Sequence, residues 1–204
     1  YLAARYIPTM PAMQPDLKIN WNIITISLAT VRYLYSLPFL FFIILGNSWF
    51  WFYGATFLTQ VPEFSKVILL GDESVVIFLL IMFSVGVSIG SVLCKTLTKN
   101  KVSLRLLPFG IAGLSIFAID LYFSLSGLDI NVNNDTLLGI GDLFNISGSW
   151  RVFADLFLLG FSGGLYIVPL YASMQAYAPK SHRARIVGAN NIFNAIFMVT
   201  SAIF

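Results

Sequence analysis

The stretch RVFADLFLLGFSGGLYIVPLYASMQ, residues 151–175, decides how the chain is read. A hydrocarbon core of about 30 Å takes about 20 predominantly apolar residues as a helix, and this segment supplies that length. Only helices and closed barrels satisfy every backbone group in lipid, so it reads as a spanning helix despite its odd residues. Gly160 and Gly164 form a Gly-x-x-x-Gly face that lets a neighbouring helix approach closely. Pro169 removes a backbone donor and is expected to bend the helix. Asp155 is costly, since a charge at the bilayer centre carries a penalty of about 2.5–3.5 kcal/mol on insertion scales.

Working outward, comparable apolar runs occur at 37–58, 75–92, 106–125 and 186–204, which with 152–174 gives five expected spans. The run at 75–92 carries a second Gly-x-x-x-Gly, at Gly86 and Gly90. The chain has 204 residues, 58% hydrophobic and 10% charged, where soluble domains are nearer 25% charged. An all-α integral membrane protein is therefore expected. In residues 1–36, Pro8, Pro11 and Pro15 terminate any preceding helix, and 22–36 is expected to be an interfacial helix with Arg32 at the surface. Residues 59–74 and 126–150 read as loops. The chain lacks an initiator Met and stops at Phe204 in an apolar run, which reads as a fragment of a larger protein.

Charge falls unevenly about these spans. Arg5, Lys18, Arg32, Lys95, Lys99, Lys101, Arg105, Lys180, Arg183 and Arg185 share one side. The other holds Lys66 and Arg151 with Glu63, Asp72, Glu73, Asp129, Asp135 and Asp142. The bias places the basic loops in the cytoplasm and removes a nucleic-acid reading of the net +3. Cys94 and His182 are each the only residue of their kind, so disulfide frameworks, Cys/His zinc sites and Cys–His nucleophile pairs are excluded within the chain. His182 is expected simply to be solvated. No phosphate-cradling loop, catalytic carboxylate pair or Ser-His-Asp arrangement is present, so enzyme chemistry, a cofactor and a metal are not expected. Asn134 and Asn145 begin Asn-x-Ser/Thr sequons, which have no meaning in a bacterial protein.

Polar residues inside spans are the candidates for function. Arg151 lies one turn before Asp155, on the same helix face, so a structural Arg151–Asp155 pair joined by Asp120 is one reading; a coupling carboxylate on a transport path is the other. Trp51 sits where an aromatic belt would anchor the first span. Asn47, Thr56 and Gln60 in that span need hydrogen-bond partners or water. Asn190 and Asn194 share a face of the last span and fit either helix-to-helix hydrogen bonds or a polar cavity.

The blocks DLKINW, SWFWFYGATFLTQVPEF, GDESVV, GVSIGSVLC, WRVFADLFLLGFSGGLYIVPLYASMQ and RARIVGANNIFNAIFMV resemble the bacterial lysophospholipid transporter branch of the major facilitator superfamily. They look most like the version fused to an acylglycerophosphoethanolamine acyltransferase and acyl-carrier-protein synthetase. The resemblance implies a major facilitator fold, with this chain covering the end of helix 6 to helix 11 of the C-terminal half. It further implies an inner-membrane protein partnered by the N-terminal half, moving lysophosphatidylethanolamine inward by alternating access for re-acylation. Asn47, Trp51, Thr56, Gln60, Tyr166, Asn190 and Asn194 would then line or approach the path. The family's loop signature between helices 8 and 9 maps onto GSVLCKTLTK, with Cys94 where the acid belongs. A facilitator for a small polar solute or drug, and a membrane module serving a fused acyltransferase, are the alternatives.

Overall fold

The computed structural model describes residues 21–99, 101–128 and 137–203, which are helical with no strands. Arg5, Pro8, Pro11, Pro15, Lys18, Asp129, Asn134 and Asp135 lie outside the described residues. In chain order the α-helices are α1 (Ile23–Tyr35), α2 (Pro38–Glu63), α3 (Glu73–Leu97), α4 (Leu107–Ser126), α5 (Ile140–Asn145), α6 (Ser149–Tyr177) and α7 (Arg183–Ser201). Four helical stretches are long and apolar enough to cross a membrane: Pro38–Ile68, Glu73–Leu97, Leu107–Ser126 and Ser149–Tyr177. The expected fifth span is helical as α7 but is not among these four, its asparagines and flanking arginines lowering its hydropathy.

Local chemistry sets the ends. Asn22 caps α1, its side chain accepting from Thr25 N at 3.1 Å. Asp72 caps α3, accepting from Ser74 N at 2.9 Å and Val75 N at 3.2 Å. The Ser74 hydroxyl, chiefly, holds the Asp72 carboxyl below its ordinary range; desolvation opposes it and the Val75 and Ser74 amides add to it. Gly148, at φ 95°, turns the chain into α6 in a conformation that suits glycine.

The first span runs further than the sequence indicates. Instead of stopping near residue 58, α2 continues through Pro62 and then widens into a π-helical turn, Phe64–Ile68, closed by Leu69 N to Phe64 O at 3.3 Å. Proline deprives the ladder of one donor, yet the chain stays helical across Pro62 and ends where Leu70 takes φ 49°. The 126–150 connection is likewise not all loop. It contains α5, and Leu138 exchanges backbone hydrogen bonds with Leu70 and Asp72 at 2.7 and 2.9 Å, while Leu143 is buried in the core.

Residue register gives the relative helix directions. Gly86 and Gly90 of α3 meet Phe157 and Phe161 of α6, so these two run parallel. Asn47 and Ser48 of α2 meet Asn190 and Asn194 of α7, also parallel. Gly110, Gly113 and Asp120 of α4 meet Tyr166, Ser162 and Arg151, so α4 and α6 are antiparallel. These directions put Arg32, Lys95, Lys99, Lys101, Arg105, Lys180, Arg183 and Arg185 at one end of the bundle, the basic end. Glu63, Asp72, Glu73, Asp120, Asp142 and Asp155 lie toward the other.

Helix α6 is the hub, packed by α3, α4 and α2, with α7 on the far flank of α2. The two Gly-x-x-x-Gly motifs turn out to face each other. A Cβ on Gly86 or Gly90 would lie 2.1 Å from the Phe157 or Phe161 carbonyl oxygen, and one on Gly160 2.1 Å from that of Phe83. One apolar core, around Ile44, Leu170 and Ile186, fills the basic half, and a second, around Val75, Leu79, Phe153 and Leu156, fills the acidic half. Helix α1 docks on α7, with Tyr33 stacked 4.8 Å from His182 and Arg185 over the same ring at 6.0 Å. His182 is thus held by an aromatic face rather than simply solvated.

Candidate functional site

Two features occupy opposite flanks of α2. The first is a polar seam against α7 and α6. Asn47, fully buried, donates from Nδ2 to Asn190 Oδ1 at 3.2 Å and has Met174 Sδ at 4.0 Å. The next residue, Ser48, has its hydroxyl 2.9 Å from the Asn194 amide. The orientation that satisfies the Asn194 amide has its oxygen accepting from Trp51 Nε1 at 3.3 Å and Asn190 Nδ2 at 3.0 Å. Trp51 also donates to Tyr171 Oη at 2.9 Å. Asn47, Trp51, Asn190 and Asn194, separate in sequence, therefore converge. Asn47 Oδ1 and, on α6, Ser173 Oγ are buried without a hydrogen-bond partner among the described residues.

The second feature is an aromatic cleft of about 340 Å³ between α2 and α4, floored by α6. Trp49, Phe50 and Tyr53 form one wall, Ile111, Leu114, Ser115 and Ala118 the other, and Tyr166 the floor. Tyr166 is pinned there by donating to the Gly46 carbonyl at 3.0 Å. Further along the same helices, Phe57, Gln60, Val61, Phe64, Leu121 and Leu156 surround a smaller apolar space of about 150 Å³. Gln60 lines this space rather than the seam. Thr56 joins neither feature, its hydroxyl donating to Phe52 O of its own helix at 3.0 Å. Nothing along the chain marks Trp49, Phe50 and Tyr53 as cleft walls beyond the spacing of Trp49 and Tyr53, four apart and so on one helix face.

The carboxylates at the acidic end are arranged differently from the expected Arg151–Asp155 pair. Arg151 reaches across to α4, donating from Nε to Asp120 Oδ2 at 3.2 Å and from Nη2 to Asp120 Oδ1. Both partners stay partly exposed, 54% and 36% by side chain. Asp155 is only 3% exposed, and its Oδ2 has no hydrogen-bond partner among the described residues. It sits among Val152, Phe153, Leu156 and Leu159 with Ser124 and Asp120 as polar neighbours. A guanidinium drawn into that position would lose its hydration; reaching Asp120 keeps Arg151 paired at the rim.

No three His, Cys, Asp or Glu side chains among the described residues converge as a metal site. The seam and cleft belong to an all-helical protein with four helices able to cross a membrane, the architecture of a multi-pass membrane protein. No protein-family model, curated protein or solved structure matches the chain.

Proposed function

We propose that the chain is the C-terminal half of a major facilitator carrier that moves a lysophospholipid, lysophosphatidylethanolamine in particular, inward across a bacterial inner membrane by alternating access. The observation that carries this reading is the aromatic cleft between α2 and α4. A slot walled by Trp49, Phe50, Tyr53, Ile111, Leu114 and Ala118 suits a single acyl chain, which gains by packing its carbons against these apolar and aromatic surfaces. The sequence resemblance supplies the remaining parts: the N-terminal half as partner and an acyltransferase, fused or separate, that consumes the imported lipid.

Two measurements test it. Vesicles carrying the protein together with its N-terminal half should accumulate labelled lysophosphatidylethanolamine and not a labelled sugar. A photoactivatable lysophospholipid should label Trp49, Tyr53 or Ser115 saturably and be displaced by unlabelled lipid. Unsaturable labelling spread evenly over the lipid-facing side of α3 refutes the cleft as the acyl site. A second reading, a carrier for a small polar solute, rests on the unpartnered Asn47 Oδ1 and Ser173 Oγ; it requires sugar or amino-acid uptake that Asn47→Leu abolishes.

A further inference from the structure

We infer that the connection between α3 and α4 is a binding site for the phosphate headgroup of an anionic phospholipid of the surrounding bilayer. The inference needs only that the helices span a membrane and does not rest on the transport reading. A recess of about 590 Å³ opens there, lined by the cations Lys99, Lys101 and Arg105 and by the apolar Leu97, Val102 and Leu106.

Charge comes first. From Ser74 to Ile119 the sequence contains no Asp or Glu. Among the described residues the acids lie toward the opposite end, the nearest along α4 being Asp120, about 20 Å up the helix at 1.5 Å per residue. The sole ion pair among the described residues is Arg151–Asp120, at that far end. Among the described residues the three cations in the recess therefore have no protein counterion, and a headgroup phosphate is the complementary charge that a bilayer surface offers.

Shape comes second. Thr98 closes α3 by donating from Oγ1 to Cys94 O at 2.9 Å, and Lys101 N then bonds Thr98 O at 2.9 Å, folding the chain back on itself. The turn is made by Lys99 at φ 51°, a left-handed conformation uncommon for a residue with a side chain. It carries Lys99 and Lys101 to one recess beside Arg105. Leu97 and Val102 remain 56% and 44% exposed beside the cations. A free phosphate would leave them facing water, whereas a phospholipid places its phosphate on the cations and its glycerol and upper acyl carbons against the leucine and valine.

The test uses the purified chain in detergent, titrated with phosphatidylglycerol or phosphatidylcholine and read by native mass spectrometry. Each surface cation contributes about a fivefold factor toward an anionic lipid, so the Lys99→Gln/Lys101→Gln/Arg105→Gln variant should bind phosphatidylglycerol about a hundredfold more weakly. Its phosphatidylcholine binding should stay unchanged. The Lys180→Gln/Arg183→Gln variant, at the same end but outside the recess, should lose far less. Equal losses in the two variants overturn the site in favour of diffuse surface charge. Unchanged phosphatidylglycerol binding in the triple variant also overturns it. Millimolar inorganic phosphate that displaces the lipid completely overturns the lipid assignment, and persistence of the lipid supports it. Should the triple variant fail to fold, Lys101→Gln must weaken phosphatidylglycerol binding and Lys101→Arg must restore it, or the proposal falls.

Discussion

Replacing Gly86 and Gly160 by alanine tests the packing on which the helix bundle depends. An added Cβ at Gly86 would stand 2.1 Å from the Phe157 carbonyl oxygen, and one at Gly160 2.1 Å from that of Phe83. Ordinary contact begins at 3.4 Å, so the helices must part by up to 3.4 − 2.1 = 1.3 Å at these points. Neither obstacle is a flexible side chain; both are backbone. A gap of 0.5–1 Å forfeits about a quarter to a half of each dispersion contact across it, and in a bilayer such packing is a main force between helices. Overpacking of this kind costs about 1–3 kcal/mol, which for a chain of this size lowers the melting temperature by about 2–12 °C. Thermal unfolding in detergent reads the effect, with Gly54→Ala and Gly188→Ala as controls. A Cβ at either control position meets nothing within 4 Å, so each should gain about 0.5–1 kcal/mol from reduced chain freedom. If Gly86→Ala/Gly160→Ala melts at or above the parent temperature while the controls behave as stated, α3 and α6 are not in backbone contact and the hub assignment is wrong.

Asp155→Asn removes the charge of a buried carboxylate whose Oδ2 lacks a partner among the described residues and should raise stability by about 1 kcal/mol or more; a fall of several degrees would mean that the contacts to Ser124 and Asp120 outweigh the burial. Asp120→Asn, at an exposed pair, should leave melting nearly unchanged at moderate salt, and a large drop would contradict that exposure. A double-mutant cycle of Asn47→Leu with Asn190→Leu should give a coupling of about 0.6 kcal/mol, the average for hydrogen bonds between membrane helices; additive effects would break the seam. Because the folded-state pKa of Asp72 is lowered, its cap contributes fully above the free carboxylate range near pH ~3.9 and is lost as pH falls through the lowered value. The stability gap between the parent and Asp72→Ala should thus be present at pH 6 and close at strongly acid pH; a gap independent of pH would place the cap elsewhere.

Helix positions were legible because a bilayer-length apolar run leaves few alternatives. What the sequence hid came from tertiary contacts. Residues 59–74 read as a loop, yet α2 passes through Pro62 and continues into a π-helical turn, Phe64–Ile68. Asn190 and Asn194 announce a polar face by their spacing, but nothing along the chain says that Asn47, Ser48 and Trp51 will meet it. The i, i+4 spacing of Arg151 and Asp155 predicts a pair, and a carboxylate on a different helix, 31 residues away, takes the guanidinium instead. Gly86 with Gly90, and Gly160 with Gly164, each signal a close neighbour; that they are each other's neighbour depends on the order in which helices pack around α6.

The uneven burial around α6 has a consequence for how variation in this protein will be distributed. Of the most apolar 18 residues of this helix, 67% are buried within the protein, against 11% for α4. Substitutions accepted over evolutionary time should therefore gather on α4, where the main requirement is to remain apolar, and avoid α6, where almost any change meets backbone or core. A related chain would be expected to match best across residues 149–177, whatever its function. Agreement there records shared scaffolding, while on the proposed carrier reading the walls of the aromatic cleft, Trp49, Tyr53, Ile111 and Ser115, are where a change of cargo would leave its trace.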